Sequence, residues 1–132
     1  MRMLAAFALF ALLTACSGSS DSKDAPALSA KQAVDRTCSE VRAGIADFNN
    51  QDYKGTVDHF RTAKVTAKVY AKVSSEPVAD ALLDAVEYYA NLAPADYPEA
   101  ARSSESFARS KTVTLNQCAS DSPADGVPTQ ST

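Results

Sequence analysis

The sequence predicts an all-α protein, a small antiparallel four-helix bundle of up-down-up-down topology. Beyond residue 28 the apolar residues recur at steps of three and four, which is the spacing of one helix face. Two rows of opposite charge follow the same helical spacing, and only four glycines interrupt the chain. With 132 residues, the chain is long enough for one small domain.

The first 16 residues have the order of an export signal. A short basic start precedes an eleven-residue apolar run, MLAAFALFALL. This run is too short to cross a bilayer as a helix, which takes about 20 residues, but it has the length of a signal-peptide core. The next residues, Leu13-Thr14-Ala15-Cys16, resemble the lipobox of bacterial lipoproteins. The resemblance implies cleavage after Ala15 and diacylation of the Cys16 thiol.

Lipidation at Cys16 would define the N-terminal organisation and the location of the protein. Two acyl chains hold a protein stably on a membrane, because each buried methylene contributes about 0.8 kcal/mol. We therefore expect residues 1–15 to be a signal peptide, residues 16–28 a lipidated N-terminus and flexible tether, and the domain to lie on the extracytoplasmic face of the cell membrane. The alternative is an ordinary secretory signal that leaves Cys16 as a plain thiol.

The two remaining cysteines, Cys38 and Cys118, predict a disulfide, because they form an even pair in an exported chain. Closing a loop of about 80 residues restricts the unfolded state by roughly 4–5 kcal/mol in the chain-entropy model. Two independent buried thiols are the alternative. Neither cysteine has a second cysteine or a histidine at ligand spacing, so the sequence predicts no metal site and no cofactor.

The bundle is predicted to span residues 29–118, and capping signals delimit its first two helices. The first helix begins at Ser29, which forms a capping box with Gln32, and two asparagines mark its end near residue 50. The second helix begins near Asp52. Val65, Val69 and Val73 are predicted to broaden its apolar face, although β-branched residues also suit a strand.

Prolines mark the start of the third and fourth helices. Pro77 lies in the first turn of the third helix, which ends before Pro94. The fourth helix opens with Asp96 as its cap and continues to the second bridge cysteine at 118. Lys111 interrupts the apolar face of this helix. Residues 119–132, rich in proline, serine and aspartate, are predicted to be a disordered tail.

Rows of opposite charge predict that the second and third helices form an antiparallel hairpin. The predicted pairs are Lys72–Glu76, Lys68–Asp80, Lys64–Asp84 and Arg61–Glu87. The two residue numbers have the same sum in every pair, as a hairpin that turns at Ser74 requires. The alternative is that the basic row is a strip for acidic lipid or nucleic acid.

The sequence offers little support for catalysis or nucleic-acid binding. The net charge is −3 without a sustained basic tract, so no nucleic-acid partner is predicted. His59 is the only histidine and is interpreted as a surface or satisfied interface residue. The four glycines form no phosphate-binding loop. We therefore expect that the protein is not an enzyme.

The leading functional hypothesis is a membrane-anchored helical binding module whose partner is an envelope protein or a surface polymer. Tyr89 is predicted to lie in the core, whereas Tyr88 falls off the apolar stripe and is a candidate interface anchor or a bland rim residue. One alternative is a small-ligand carrier, which requires an apolar void above about 300 Å³. The other is an exclusion lipoprotein encoded by a phage or prophage.

Overall fold

A computed structural model describes residues 27–119, and these residues form an all-α domain. Its helices are α1 (Ala30–Asn49), α2 (Tyr53–Val73), α3 (Pro77–Asn91), α4 (Tyr97–Ser103) and α5 (Glu105–Cys118), with a 3₁₀ turn at Pro94–Asp96 before α4. No helix in this part of the chain is both long enough and apolar enough to span a bilayer. The predicted signal peptide, the predicted lipidation site Cys16, most of the predicted tether and residues 120–132 of the predicted tail lie outside the described residues.

Local capping explains where the first helices begin. The Ser29 hydroxyl accepts the Gln32 amide N–H at 3.1 Å, and the Gln32 side chain accepts the Ser29 amide N–H at 3.0 Å, which confirms the capping box. Asp52 caps α2 by accepting the Gly55 N–H at 2.9 Å. Leu28, assigned to the tether from sequence, instead packs partly buried against the core.

The predicted fourth helix is wrong as a single element, because it breaks at Ser104. Asp96 adopts a helical conformation inside the 3₁₀ turn and makes no capping hydrogen bond with its side chain. Ser104 has an extended backbone (φ −89°, ψ 121°), and its hydroxyl accepts the Phe107 N–H at 3.2 Å. Serine is a preferred N-cap, so it ends α4 and starts α5 at the same residue.

The helices enclose one core, and a disulfide joins α1 to α5. In the described domain α1 packs on α2, α2 on α3, and α5 on both α3 and α1. The Cys38–Cys118 bridge is present with a Cα–Cα distance of 4.8 Å, and both cysteines are almost fully buried. Gln117 donates to the Val78 carbonyl at 2.7 Å, which fixes the end of α5 beside the start of α3.

The predicted charge pairs between α2 and α3 do not form. Lys64 and Lys68 both approach Glu87, at 3.9 and 3.8 Å, and none of the four predicted pairs lies within 4.0 Å among residues 27–119. Asp80 and Asp84 are exposed, because their positions on α3 turn away from the groove shared with α2. Only acidic residues of α3 that border the groove between α2 and α3 can form ion pairs with the basic residues of α2.

The predicted widening of the apolar face of α2 is also wrong at two positions. Val65 is 65% exposed and Val73 is 47% exposed, whereas Val69, the third residue of the predicted stripe, packs partly buried against the core. The contacts of α2 with α1 and α3 use the stripe that contains Val57, Phe60 and Ala63 instead. Two neighbouring helices cover only part of the circumference of α2, so its remaining face stays in solvent.

Candidate binding cavity

Seven rings gather at the end of the domain where α1 and α3 finish and where α2 and α5 begin. We call this group the aromatic end: Phe48, Tyr53, Phe60, Tyr88, Tyr89, Tyr97 and Phe107. The rings of Phe60 and Tyr89 have centroids 4.7 Å apart, and Tyr89 meets Phe107 edge-on at 5.0 Å. Such tilted and edge-on pairs are the preferred geometry for aromatic rings. The prediction that Tyr89 lies in the core is confirmed.

Two buried tyrosine hydroxyls tie the aromatic end together. Tyr97 is 1% exposed and donates to the Tyr89 carbonyl at 2.6 Å. Tyr89 in turn donates to the Phe107 carbonyl at 3.0 Å. Burial and the neighbouring tyrosines raise the pKa of both phenols above the ordinary value, an effect that the charge of Arg61 opposes in part at Tyr97. Both hydroxyls therefore remain donors at neutral pH.

Five of the seven rings of the aromatic end line a half-open cavity of about 410 Å³. Its walls come from all five helices and are largely apolar: Ile45, Phe48, Asn49, Thr56, Phe60, Tyr89, Tyr97, Ala101, Phe107, Ala108, Lys111, Thr114 and Leu115. Lys111 is the only charged residue in this lining. The residue that interrupts the apolar face of the fourth predicted helix therefore lies beside a cavity.

A close approach of α1 and α2 fixes one wall of the cavity. Gly44 is buried, and a β-carbon at this position would lie 3.0 Å from the Phe60 ring and 3.3 Å from the β-carbon of His59. The absence of a side chain at Gly44 thus lets the Phe60 ring lie directly against the backbone of α1. This role of Gly44 has no signal in the sequence, because a lone glycine within a helical pattern does not show which residue packs against it.

Tyr88, the candidate interface anchor, is half-buried beside the cavity wall rather than part of its lining. Its hydroxyl lies 2.9 Å from the Ser104 hydroxyl, and its ring meets Tyr89 and Phe107 edge-on. Tyr88 therefore connects α3 to the break between α4 and α5. Its proposed contact with a partner stays a prediction.

His59 lies between two carboxylates of α1 that the sequence analysis did not connect with it. Its Nδ1 is 2.7 Å from the Glu40 carboxylate, and its Nε2 is 3.4 Å from the Asp47 carboxylate. The two acids are seven residues apart, so they share one face of α1, which was the available signal. Across residues 27–119, no group of three or more histidine, cysteine or acidic side chains is suited to hold a metal ion.

Comparisons with known proteins identify no relative of this chain. No protein-family model matches it, no similar curated protein is found, and no solved structure resembles it. The geometry of the cavity is therefore the main guide to function.

Proposed function

We propose that this protein is a membrane-anchored extracytoplasmic lipoprotein whose helical domain binds a small, largely apolar ligand. The observation that carries the proposal is the cavity of about 410 Å³ at the aromatic end. Its volume lies within the range of about 300–1,000 Å³ typical of small-molecule sites, and its walls combine rings with a few polar groups, as such sites do. The cavity thus favours a ligand carrier over a module that binds an envelope protein or a surface polymer.

The lipid anchor is supported by the lipobox resemblance around Cys16. We expect metabolic labelling with an alkyne analogue of palmitate to mark the wild-type chain and the control Cys38→Ala, but not Cys16→Ala. Labelling of Cys16→Ala would contradict the anchor.

The up-down-up-down topology is part of the proposal. In it, α4 and α5 together take the place of the fourth helix of the bundle. Connections of only a few residues join α1 to α2 and α2 to α3, and short connections favour antiparallel neighbours. In this arrangement the tether joins the end of the domain opposite the aromatic end. The cavity would then face away from the membrane surface.

Blocking the cavity tests the ligand-binding function. The chain has no tryptophan and five tyrosines, of which four belong to the aromatic end, so near-ultraviolet circular dichroism reports on the cavity walls. We expect 1-decanol, added to the full chain in phosphatidylcholine vesicles, to produce a saturable change in this signal. Ala101→Leu/Ala108→Leu should abolish the change, because both alanines line the cavity.

The matched control is Ala81→Leu, which makes the same type of substitution in a groove between α3 and α5 that shares no lining residue with the cavity. This variant should respond to decanol as the wild type does. A wild-type signal that does not saturate, or an equal response from the blocked variant, would show that the cavity is not a binding site.

A further inference from the structure

The hydroxyl donors inside the cavity are already used by the protein. Tyr97 donates to the Tyr89 carbonyl, and Tyr89 donates to the Phe107 carbonyl. Thr114 donates within α5 at 3.0 Å, and Thr56 donates to the backbone of Asp52 at 2.8 Å. A ligand deep in the cavity therefore meets rings and methyl groups, with no free hydroxyl proton from these four residues.

Two side chains at the rim differ from the rest of the lining. Lys111 and Asn49 are both exposed, and neither side chain has a hydrogen-bond or ion-pair partner among residues 27–119. Lysine contributes three N–H donors and a positive charge, and asparagine contributes an amide that can donate twice. The cavity thus joins an apolar interior to a rim with spare donors and one net positive charge.

The lining contains no acidic residue to balance Lys111. A cationic ligand would meet like charge at the rim, and a neutral alcohol would leave the ammonium group without a charged partner. An anion would pair with the ammonium through charge-assisted hydrogen bonds, which are stronger than neutral ones.

We propose that the cavity binds single-chain or small-ring amphiphilic carboxylates, with the acidic group at Lys111 and Asn49 and the apolar part against the rings of Phe48, Phe60 and Phe107. This inference rests on the proposed function and names the ligand class for the same cavity. A volume of about 410 Å³ suits one short chain or a small ring system rather than a two-chain phospholipid.

Paired ligands that differ only in the head group test this assignment. We would titrate the full chain in phosphatidylcholine vesicles with decanoate and with 1-decanol, and follow the tyrosine near-ultraviolet signal against the free ligand concentration. Neither ligand absorbs in this region, so the signal comes from the protein. We expect decanoate to bind at least about tenfold more tightly than decanol, as one charge-assisted contact implies.

Removing the charge should then remove the preference. Lys111→Met is expected to weaken decanoate binding by about tenfold, so that decanoate and decanol bind this variant with similar affinity. Arg109→Met is the matched control, because Arg109 is a cation of the same helix that lines a different groove. It should bind decanoate as the wild type does. Far-ultraviolet circular dichroism would verify that each variant keeps its helices.

The outcomes separate the two proposals. Equal binding of decanoate and decanol, or full decanoate affinity in Lys111→Met, would overturn the carboxylate assignment while the cavity remains a ligand site. Absence of binding by both ligands would overturn the proposed function as well. Saturation of the signal by phosphatidylglycerol vesicles alone would overturn the assignment to free single-chain acids, since a lipid phosphate would then be the occupant.

Discussion

The two ends of the helical domain are packed with different kinds of side chain. The disulfide end, defined by Ala33, Cys38, Ala67, Ala79, Leu82 and Cys118, consists of small or flexible groups that are at most 1% exposed. The aromatic end consists of rings that meet at centroid distances of 4.7–6.4 Å and leave a cavity of about 410 Å³. One contiguous core therefore contains both a closed region and an open one.

The difference follows from side-chain shape. Alanine lets helix backbones approach until their own atoms fill the space, and the bridge at Cys38 and Cys118 holds that approach in place. Aromatic rings are rigid, and the rings of Tyr89 and Tyr97 are held in place by hydrogen bonds from their own hydroxyls to backbone carbonyls. They cannot all turn to fill the space next to the bend at Ser104. The disulfide and the close helix packing thus lie at one end of the domain, and the open space lies at the other.

The largest effect is expected from removing the disulfide. Cys38→Ala/Cys118→Ala should lower the free energy of unfolding by about 4 kcal/mol, because the bridge closes a loop with a sequence separation of 80. Urea unfolding of the full chain, followed by far-ultraviolet circular dichroism, would measure the change.

Two further measurements make this test specific to the disulfide end. Reducing agent should destabilise the wild type to the same extent and leave the double variant unaffected. The near-ultraviolet tyrosine signal of the double variant before unfolding should stay native, because neither cysteine lines the cavity. Unchanged urea resistance in the double variant would contradict the role assigned to the bridge.

Adding bulk at each end should give opposite results. Ala67 is 0% exposed, so Ala67→Leu is expected to destabilise the domain by about 1–3 kcal/mol through overpacking. Ala108 lines the cavity, and Ala108→Leu should change stability by no more than about 0.5 kcal/mol. Midpoints of thermal or urea unfolding would compare the two. Equal destabilisation would show that the ends are packed alike.

The smallest predicted effect concerns the buried phenols of the aromatic end. Tyr97→Phe removes the hydrogen bond to the Tyr89 carbonyl and should lower stability by about 1 kcal/mol at neutral pH. Burial raises the pKa of Tyr97 in the folded state, so the unfolded state loses its proton first as the pH increases. The contribution of this raised pKa to the free energy of unfolding is fully present below about pH 10. It is lost as the pH rises toward the pKa of Tyr97 in the folded state.

Urea unfolding at a series of alkaline pH values would measure this loss. Between the unfolded and the folded pKa, each such phenol lowers the free energy of unfolding by about 1.4 kcal/mol per pH unit. Tyr97→Phe should remove the contribution of one phenol. Tyr89→Phe should also make the fall shallower, because burial raises the pKa of Tyr89 as well. If the free energy of unfolding of Tyr97→Phe fell with pH as steeply as that of the wild type, the role assigned to the Tyr97 phenol would be wrong.

Local signals explain which parts of the fold could be predicted. The starts of α1, α2 and α3 depend on caps and on a proline only a few residues away in sequence. The predicted starts at Ser29, Asp52 and Pro77 are confirmed. The break at Ser104 also has a local signal, a serine followed by an acidic residue in the first turn of α5. The continuous apolar spacing across residues 100–118 concealed it.

Pairings between helices were harder to predict than helices. The charge rows correctly suggested that α2 and α3 are neighbours, but equal sums of residue numbers say nothing about how each helix is rotated about its axis. That rotation leaves Asp80 and Asp84 exposed and gives both lysines the same partner, Glu87. The partners of His59 were missed for the same reason.

The sequence by itself determined the helical class, the limits of the first three helices and the pairing of Cys38 with Cys118. Periodicity and caps are properties of neighbouring residues, and only two of the three cysteines remain beyond the lipobox resemblance at Cys16. Only the tertiary structure decided where the domain contains a cavity. A cavity depends on how rings from five helices meet, and no single segment encodes that. Lys111 shows the division: in the sequence it is an interruption of an apolar face, and in the folded domain it lies at the rim of the cavity.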